Sequence, residues 1–171
     1  MRIIGGKFAG WDLTSPTDFR VRPTAEHVRA AMLDMVAADI PKARVLDLFA
    51  GTGALGLEAI SRGALSADFV ETRPASLHAL KSNVAALRLL KGTRIFKRDA
   101  VQFAAALSAR SYDIAFADPP YESRMLDRIV ASWQASGFSR VVAVEHARGH
   151  ALPKGAEQKV FEESAVTIYR V

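Results

Sequence analysis

The tetrapeptide Asp118-Pro119-Pro120-Tyr121 carries the most specific chemical signal in the sequence. Two consecutive prolines fix the backbone and remove two N–H donors, so the Asp118 carboxylate and the Pro119 carbonyl oxygen become neighbouring acceptors. Such a pair suits a planar exocyclic amine, which has two hydrogens to donate, and the ring of Tyr121 could stack on the base that carries the amine. Taken alone, the segment also fits a rigid loop with an exposed tyrosine, so its meaning depends on what precedes it in the chain.

A glycine-containing turn lies upstream, between Val45 and Gly63. A short apolar run is followed by Gly51 and Gly53, which permit positive φ angles and close approach of a ligand, and then by apolar residues at helical spacing. This order indicates a buried strand, a nucleotide-binding turn and a helix. With Gly56 the turn satisfies G-x-G-x-x-G, which is a weak signal by itself because several nucleotide cofactors share it.

Carboxylates in and after this turn narrow the choice of ligand. Asp47 would lie beside a bound cation and oppose a pyrophosphate, which favours the sulfonium and ammonium of S-adenosylmethionine over NAD; alternatively, Asp47 only hydrogen-bonds the loop backbone. Glu71 follows Gly51 at the spacing suited to a ribose diol, which both cofactors have. Asp99, ahead of Ala100, is placed to meet an adenine edge or to cap the helix that follows.

The rest of the chain alternates predicted strands and helices, which predicts a doubly wound, mostly parallel sheet with an antiparallel C-terminal hairpin. Open sheets of this kind bind ligands at the carboxyl ends of their strands. Glu145 ends the fifth strand, where it faces the substrate or pairs with Arg148. We expect strands at 45–49, 68–70, 93–97, 112–117 and 141–144, and hairpin strands at 159–163 and 166–171.

The N-terminal part precedes this unit as an extension. Residues 1–22 have short apolar pairs separated by glycines, which predicts a small β-rich arm. A helix is expected to begin after Thr24, with Thr24 as its cap. We therefore predict one domain, in which residues 1–40 form the arm and helix and residues 41–171 form the catalytic core.

Composition limits the classes of function. The formal net charge of +5 favours a polyanionic partner, although an ordinary solvated surface is the alternative. Cysteine is absent, which excludes disulfides, thiolate metal sites and a cysteine nucleophile. The sequence lacks the Gly-x-Ser-x-Gly motif of serine nucleophiles. Its histidines are not at the spacing of metal ligands, so we expect no metal. With no long apolar run and no secretory signal, a soluble, cytoplasmic protein is expected.

Several motifs together resemble a known family. The segment from Asp47 to Gly53, Asp-Leu-Phe-Ala-Gly-Thr-Gly, followed by Asp-Pro-Pro-Tyr, resembles class I S-adenosylmethionine-dependent methyltransferases that modify exocyclic amines. Four further motifs narrow the resemblance to the bacterial RsmD-like family of 16S rRNA guanine-N2 methyltransferases. They are Arg2-Ile-Ile-Gly-Gly-Lys7, Val21-Arg-Pro-Thr24, Val28-Arg29 and Gly53-Ala-Leu-Gly-Leu-Glu-Ala59.

The resemblance implies a Rossmann-like seven-stranded fold and methylation of a guanine N2 amine in 16S rRNA, within the small subunit or an assembly intermediate, by a monomer. It implies a cofactor site of Asp47, Phe49, Ala50, Gly51, Thr52, Gly53, Ala54, Leu55, Glu71, Thr72, Arg73, Asp99 and Ala100. It implies catalytic residues Asp118, Pro119, Pro120 and Tyr121, and RNA contacts from Arg2, Lys7, Arg20, Arg22, Thr24 and Arg29. The alternatives are an amine methyltransferase acting on DNA, another RNA or protein glutamine, an NAD-dependent oxidoreductase, and a noncatalytic RNA-binding module.

Overall fold

The computed structural model describes residues 1–17, 24–121 and 123–171. Within these residues it has seven strands, five α-helices and one short 3-10 helix at Ala37–Asp39. The strands are β1 Arg44–Leu48, β2 Ser66–Val70, β3 Thr93–Phe96, β4 Tyr112–Ala117, β5 Ser139–Ala147, β6 Glu157–Val160 and β7 Ser164–Arg170. The helices are α1 Glu26–Met35, α2 Ala54–Ser61, α3 Pro74–Ala86, α4 Ala100–Ala105 and α5 Met125–Ser136.

All seven strands form one sheet in the order β3-β2-β1-β4-β5-β7-β6. The first five strands pair in parallel, whereas β7 is antiparallel to both β5 and β6. The predicted mixed sheet is therefore confirmed. Strand order reverses between β1 and β4, and in open α/β sheets such a reversal leaves a crevice at the carboxyl ends of the two strands.

Helices cover both faces of the sheet because its central strands are apolar on both sides. On one face, Met32 of α1, Leu57 of α2 and Leu80 of α3 pack with Phe69 and Phe116 of the sheet. On the other face, Phe103 of α4 and Ile129 and Trp133 of α5 pack with alternate strand residues such as Val142 and Val144. This two-sided burial fixes strand register, since a slip of one residue would exchange the two faces.

Local sequence explains where several helices begin and end. Pro74 opens α3, where its missing N–H costs nothing. Asp99 caps α4 by accepting the Gln102 N–H at 2.8 Å. Gly137 closes α5 with a φ of 62°.

Several boundaries differ from the sequence-based expectations. The C-terminal hairpin has its strands at Glu157–Val160 and Ser164–Arg170 rather than at 159–163 and 166–171, because Ser164 and Ala165 pair with β5 instead of forming the turn. Residues 1–17 contain one isolated antiparallel bridge, Arg2 with Asp12, rather than several strands, because the intervening segment folds into a turn. The N-cap of α1 is Ala25, with no side-chain cap, because Thr24 bonds elsewhere. Strand β5 runs beyond Glu145 to Ala147, since β7 continues to pair with it there. Among the described residues, no helix has the length and apolar character needed to cross a membrane.

Candidate active site

A cavity of about 800 Å³ opens at the carboxyl edge of the sheet, over the reversal between β1 and β4. Ligand pockets in proteins are typically of this size. The strand-end carboxylates Asp47, Glu71, Asp99, Asp118 and Glu145 all line it. It is also bordered by Phe49, Ala50, Gly51, Thr52, Ala54, Leu55, Thr72, Arg73, Ala100, Pro119, Pro120 and Tyr121. The fold thus brings the glycine turn and the Asp-Pro-Pro-Tyr segment to one space.

The glycine turn is shaped by backbone conformation and by close packing. Gly51 and Gly53 have φ angles of 56° and 83°, as expected, and Phe49 also has a positive φ of 59°, which the sequence did not indicate. A Cβ at Gly53 would collide with Leu80 Cδ1, and one at Gly56 would lie 2.5 Å from Phe69 Cε1. Gly53 does not line the cavity, and its small size allows Leu80 of α3 to pack against the turn.

Asp47 hydrogen-bonds the backbone of the turn and also lines the cavity. The side chain is buried, and its Oδ2 accepts the N–H of Gly56 at 2.9 Å, which ties the end of β1 to the first turn of α2. Burial raises the pKa of this carboxyl well above its usual value, despite the opposing effect of the Gly56 bond. Because the side chain also lines the cavity, a cationic ligand there would stabilise its ionised form.

Glu71 organises the backbone around the cavity. Its Oε2 accepts the Gly51 N–H at 2.8 Å, and its Oε1 accepts the N–H groups of Thr72 and Arg73 at 2.8 and 2.9 Å. An ionised carboxylate has about four acceptor positions, so hydroxyl donors can still bond to it. Asp99 likewise caps α4 and borders the cavity at the same time.

Asp118 lies directly after β4, where Thr24 donates its hydroxyl hydrogen to Oδ2. Burial and the nearby charge of Glu145 raise the pKa of Asp118 to about 7, while the Thr24 hydrogen bond opposes that rise. A carboxyl of this pKa can exchange a proton near neutral pH.

Tyr121 and Glu145 form a second polar pair in the cavity. The Tyr121 hydroxyl donates to Glu145 Oε1 at 2.6 Å, and burial raises the pKa of Tyr121 further above its usual value. Glu145 is only 3% exposed. The sequence placed Glu145 at the end of the fifth strand, but its position beside the Asp118 segment depends on the register of Val144 with Ala117, which the sequence does not report.

The predicted RNA-contacting residues fall into four groups, the fourth of which is Arg29 alone. Arg2 and Lys7 are exposed on the N-terminal arm, and Arg2 Nη2 lies 3.2 Å from Glu26 Oε1. Thr24 is half-buried and donates its hydroxyl hydrogen to Asp118. Arg20 and Arg22 lie outside the described residues.

Arg29 requires a correction. It is 1% exposed, its Nη2 donates to the Arg2 carbonyl, and its Nε lies 3.7 Å from Glu58 Oε2. Contact with RNA phosphates requires a guanidinium at the surface, whereas this one is held inside the protein by Glu58. Arg29 therefore joins the N-terminal arm to α2.

Two of the four histidines, His146 and His150, have hydrogen-bond partners. His146 Nε2 lies 2.8 Å from Thr167 Oγ1, and His150 Nε2 lies 2.9 Å from Asp127 Oδ1. Across residues 1–17, 24–121 and 123–171, no three potential metal ligands are grouped closely enough to hold an ion.

Comparison with known proteins gives consistent matches. The family model described as "Conserved hypothetical protein 95" matches residues 1–168. Ribosomal RNA small subunit methyltransferase D of Escherichia coli (strain K12) is 36% identical over 138 residues, which cover 81% of this chain and 69% of that protein. The solved "Putative methyltransferase yhhF from Escherichia coli" aligns with a TM-score of 0.85 at 32% identity, covering 99% of this chain and 97% of that one. A Salinibacter ruber RNA methyltransferase, solved in complex with S-adenosyl-L-homocysteine, shares the fold at 15% identity, with a TM-score of 0.68 and coverage of 87% and 93%.

Proposed function

The chain belongs to the RsmD-like family, and from this premise we propose that it transfers a methyl group from S-adenosylmethionine to the N2 amine of a guanine in 16S ribosomal RNA. The observation that carries the proposal is the single cavity that joins the glycine turn to Asp118, Pro119 and Tyr121. A methyl donor bound at the turn and a base held by the tetrapeptide would occupy neighbouring parts of one space.

The residues at the turn suit the proposed methyl donor. Asp47 provides negative charge for a cationic group, Glu71 provides acceptors for a ribose diol, and Asp99 with Ala100 borders the region for an adenine ring. S-adenosylmethionine held by these residues would supply its sulfonium methyl carbon to the amine lone pair, and the electrons of the broken carbon–sulfur bond would remain on sulfur.

The acceptor residues act mainly by positioning. The lone pair of the guanine amine is delocalised into the ring, so the amine needs precise orientation toward the methyl carbon. Hydrogen bonds from the amine to the Asp118 carboxylate and the Pro119 carbonyl would hold it in line, and most of the acceleration would come from this orientation and from electrostatics. As the nitrogen gains the methyl group, its proton becomes acidic and leaves to Asp118 or to water. The pKa of Asp118, about 7, suits that acceptance.

The RNA is expected to bind the N-terminal part, residues 1–40, which precedes the core at residues 41–171 in the sequence. Arg2 and Lys7 are exposed there, and the net charge of +5 favours a polyanion. The target guanine would be unstacked, with the ring of Tyr121 against its face. We propose that a monomer acts on the small subunit or on an assembly intermediate.

The proposal is tested by incubating the protein with methyl-labelled S-adenosylmethionine and small subunits that lack their methyl groups, followed by nucleoside analysis. Labelled N2-methylguanosine is expected. Asp118→Ala should abolish transfer and leave cofactor binding nearly intact, whereas Asp34→Asn, at an exposed carboxylate outside the cavity, should behave as the wild type. Cofactor binding without N2-methylguanosine would reject the proposal, and label in DNA, another RNA or protein glutamine would identify the actual acceptor class.

A further inference from the structure

Glu145 lies next to Asp118 and Pro119, which hold the amine in the proposed reaction, but Glu145 itself has no role in that reaction. We propose that Glu145 selects guanine over adenine by accepting the N1–H of the target base beside the N2 amine held by Asp118. This inference rests on the proposed methyl transfer and adds a residue that determines base specificity.

Strand register places the two carboxylates side by side. Ala117, the last residue of β4, is paired with Val144 of the adjacent parallel strand β5, so Asp118, directly after β4, comes next to Glu145 of β5. Such strands lie about 4.8 Å apart, and residues at equivalent positions project to the same face. That face is the one on which Phe116 packs, two residues before Asp118, and both carboxylates line the cavity.

The raised pKa of Asp118 is a second observation which indicates that the two carboxylates lie close together. The Glu145 charge is a main contributor, after burial, to the raised pKa of Asp118. Two carboxylates that face each other in a buried space are relieved by hydrogen-bond donors placed between or beside them. A ligand edge with neighbouring N–H donors would supply this relief.

Glu145 is held in a fixed orientation. Its side chain is 3% exposed, and Oε1 accepts the Tyr121 hydroxyl at 2.6 Å. A carboxylate accepts about four hydrogen bonds, so this bond leaves capacity for a donor on a base. The same bond orients the Tyr121 ring, which would stack on that base.

The Watson–Crick edges of the two purines explain the selectivity. Guanine carries its N2 amine next to N1–H, which gives two adjacent donors for two adjacent carboxylates. Adenine carries its N6 amine next to an unprotonated N1, whose lone pair would face Glu145 and repel it. Asp118 and the Pro119 carbonyl alone cannot separate these bases, because each presents an amine. Sites built to bond a donor strongly reject analogues that lack it, since a buried acceptor is then left unpaired.

The test replaces the target guanine in the RNA by 2-aminopurine, which keeps the 2-amine but has an unprotonated N1. The wild type should methylate guanine at least about ten-fold faster than 2-aminopurine in kcat/KM. Glu145→Gln keeps an oxygen acceptor for Tyr121, and its amide N–H can donate to N1 of 2-aminopurine. This variant should therefore lower the preference for guanine about ten-fold or more. Glu157→Gln, at an exposed position on β6, should keep the wild-type ratio.

A purely structural role for Glu145 makes a different prediction. If Glu145 acts only through Tyr121, then Tyr121→Phe would reproduce the change in the guanine to 2-aminopurine ratio, and this result would overturn the inference. An unchanged ratio in Glu145→Gln would also overturn it. Should that variant turn over too slowly, competition binding of the two RNAs gives the same ratio without chemistry. A wild-type enzyme that methylates no guanine N2 would defeat the proposed function itself, which is a separate and recognisable result.

Discussion

Thr24 donates its hydroxyl hydrogen to Asp118 Oδ2, so a residue just ahead of α1 touches the carboxylate at the end of β4. The two are 94 positions apart in the chain. The contact brings the N-terminal part to the acceptor end of the cavity, and it favours the ionised form of Asp118.

Thr24→Val removes this donor at nearly constant volume and should raise the pKa of Asp118 above its present value of about 7. If ionised Asp118 holds the amine, kcat/KM rises with pH through that pKa, so the midpoint of the rise should move to higher pH. Thr24→Ser retains the hydroxyl and serves as the control. A midpoint that is the same in all three proteins would remove Thr24 from the electrostatics of the site.

Asp118 should also make stability depend on pH. Its folded pKa of about 7 lies above the usual 3.8, so the folded state retains a proton that the unfolded chain has lost between these values. The stability contribution of Asp118 is complete below about pH 4 and is lost as pH rises through 7. Asp118→Asn should therefore raise Tm more at pH 8 than at pH 5, as measured by thermal unfolding. An equal change at both pH values would contradict the raised pKa, and Asp34→Asn provides the exposed comparison.

Asn83 of α3 connects the N-terminal arm to the glycine turn. Its Oδ1 accepts the Thr14 N–H at 2.7 Å, and its Nδ2 donates to the carbonyls of Thr14 and Thr52 at 3.0 Å each. Asn83→Leu leaves these backbone groups unpaired and should cost about 1–3 kcal/mol in urea unfolding. Because Thr52 lies in the turn, affinity for S-adenosylhomocysteine should fall as well, as measured by calorimetry. Lys81→Ala, at an exposed position of the same helix, is the control. If Asn83→Leu lowers stability but leaves the affinity unchanged, Asn83 does not couple the arm to cofactor binding at the turn.

The salt dependence of RNA binding should distinguish exposed from buried basic residues. Arg2→Gln and Lys7→Gln should each reduce the slope of log K against log salt by about 0.7, if each contacts one phosphate of a single strand. Arg29→Met should lower stability, because it removes the buried partner of Glu58, and should leave the slope unchanged. A reduced slope in Arg29→Met, measured under conditions where the protein is folded, would restore Arg29 to the RNA-binding surface.

The parts of the fold that follow from local chemistry could be predicted from the sequence. The turn at Gly51 and the rigid Asp118-Pro119 segment are short, and their residue types restrict the backbone directly. The helix cap at Asp99 also depends on near neighbours. The pairing of Glu145 with Tyr121 could not be read in this way, because it depends on the register of β4 with β5.

The roles of two polar side chains, Thr24 and Arg29, also could not be predicted from the sequence. Thr24 has the residue type of a helix cap, yet the tertiary fold gives its hydroxyl to Asp118. Arg29 has the residue type of a phosphate ligand, yet Glu58 on α2 retains it inside. Residue type alone does not report whether a long-range partner competes with the local or solvent-exposed role.

The C-terminal strand β7 supports the part of the cavity lining that contains Glu145. Strand β4 ends at Ala117, whereas β5 continues because Glu145, His146 and Ala147 pair with Val166, Ala165 and Ser164 of β7. Glu145 is thereby carried on hydrogen-bonded strand backbone instead of a loop. The backbone amide hydrogen of Glu145 should exchange slowly with deuterium. A chain truncated before Ser164, which lacks β7, should exchange it faster. If Glu145 selects the base as proposed, strand β7 would contribute to base specificity by holding Glu145 in place.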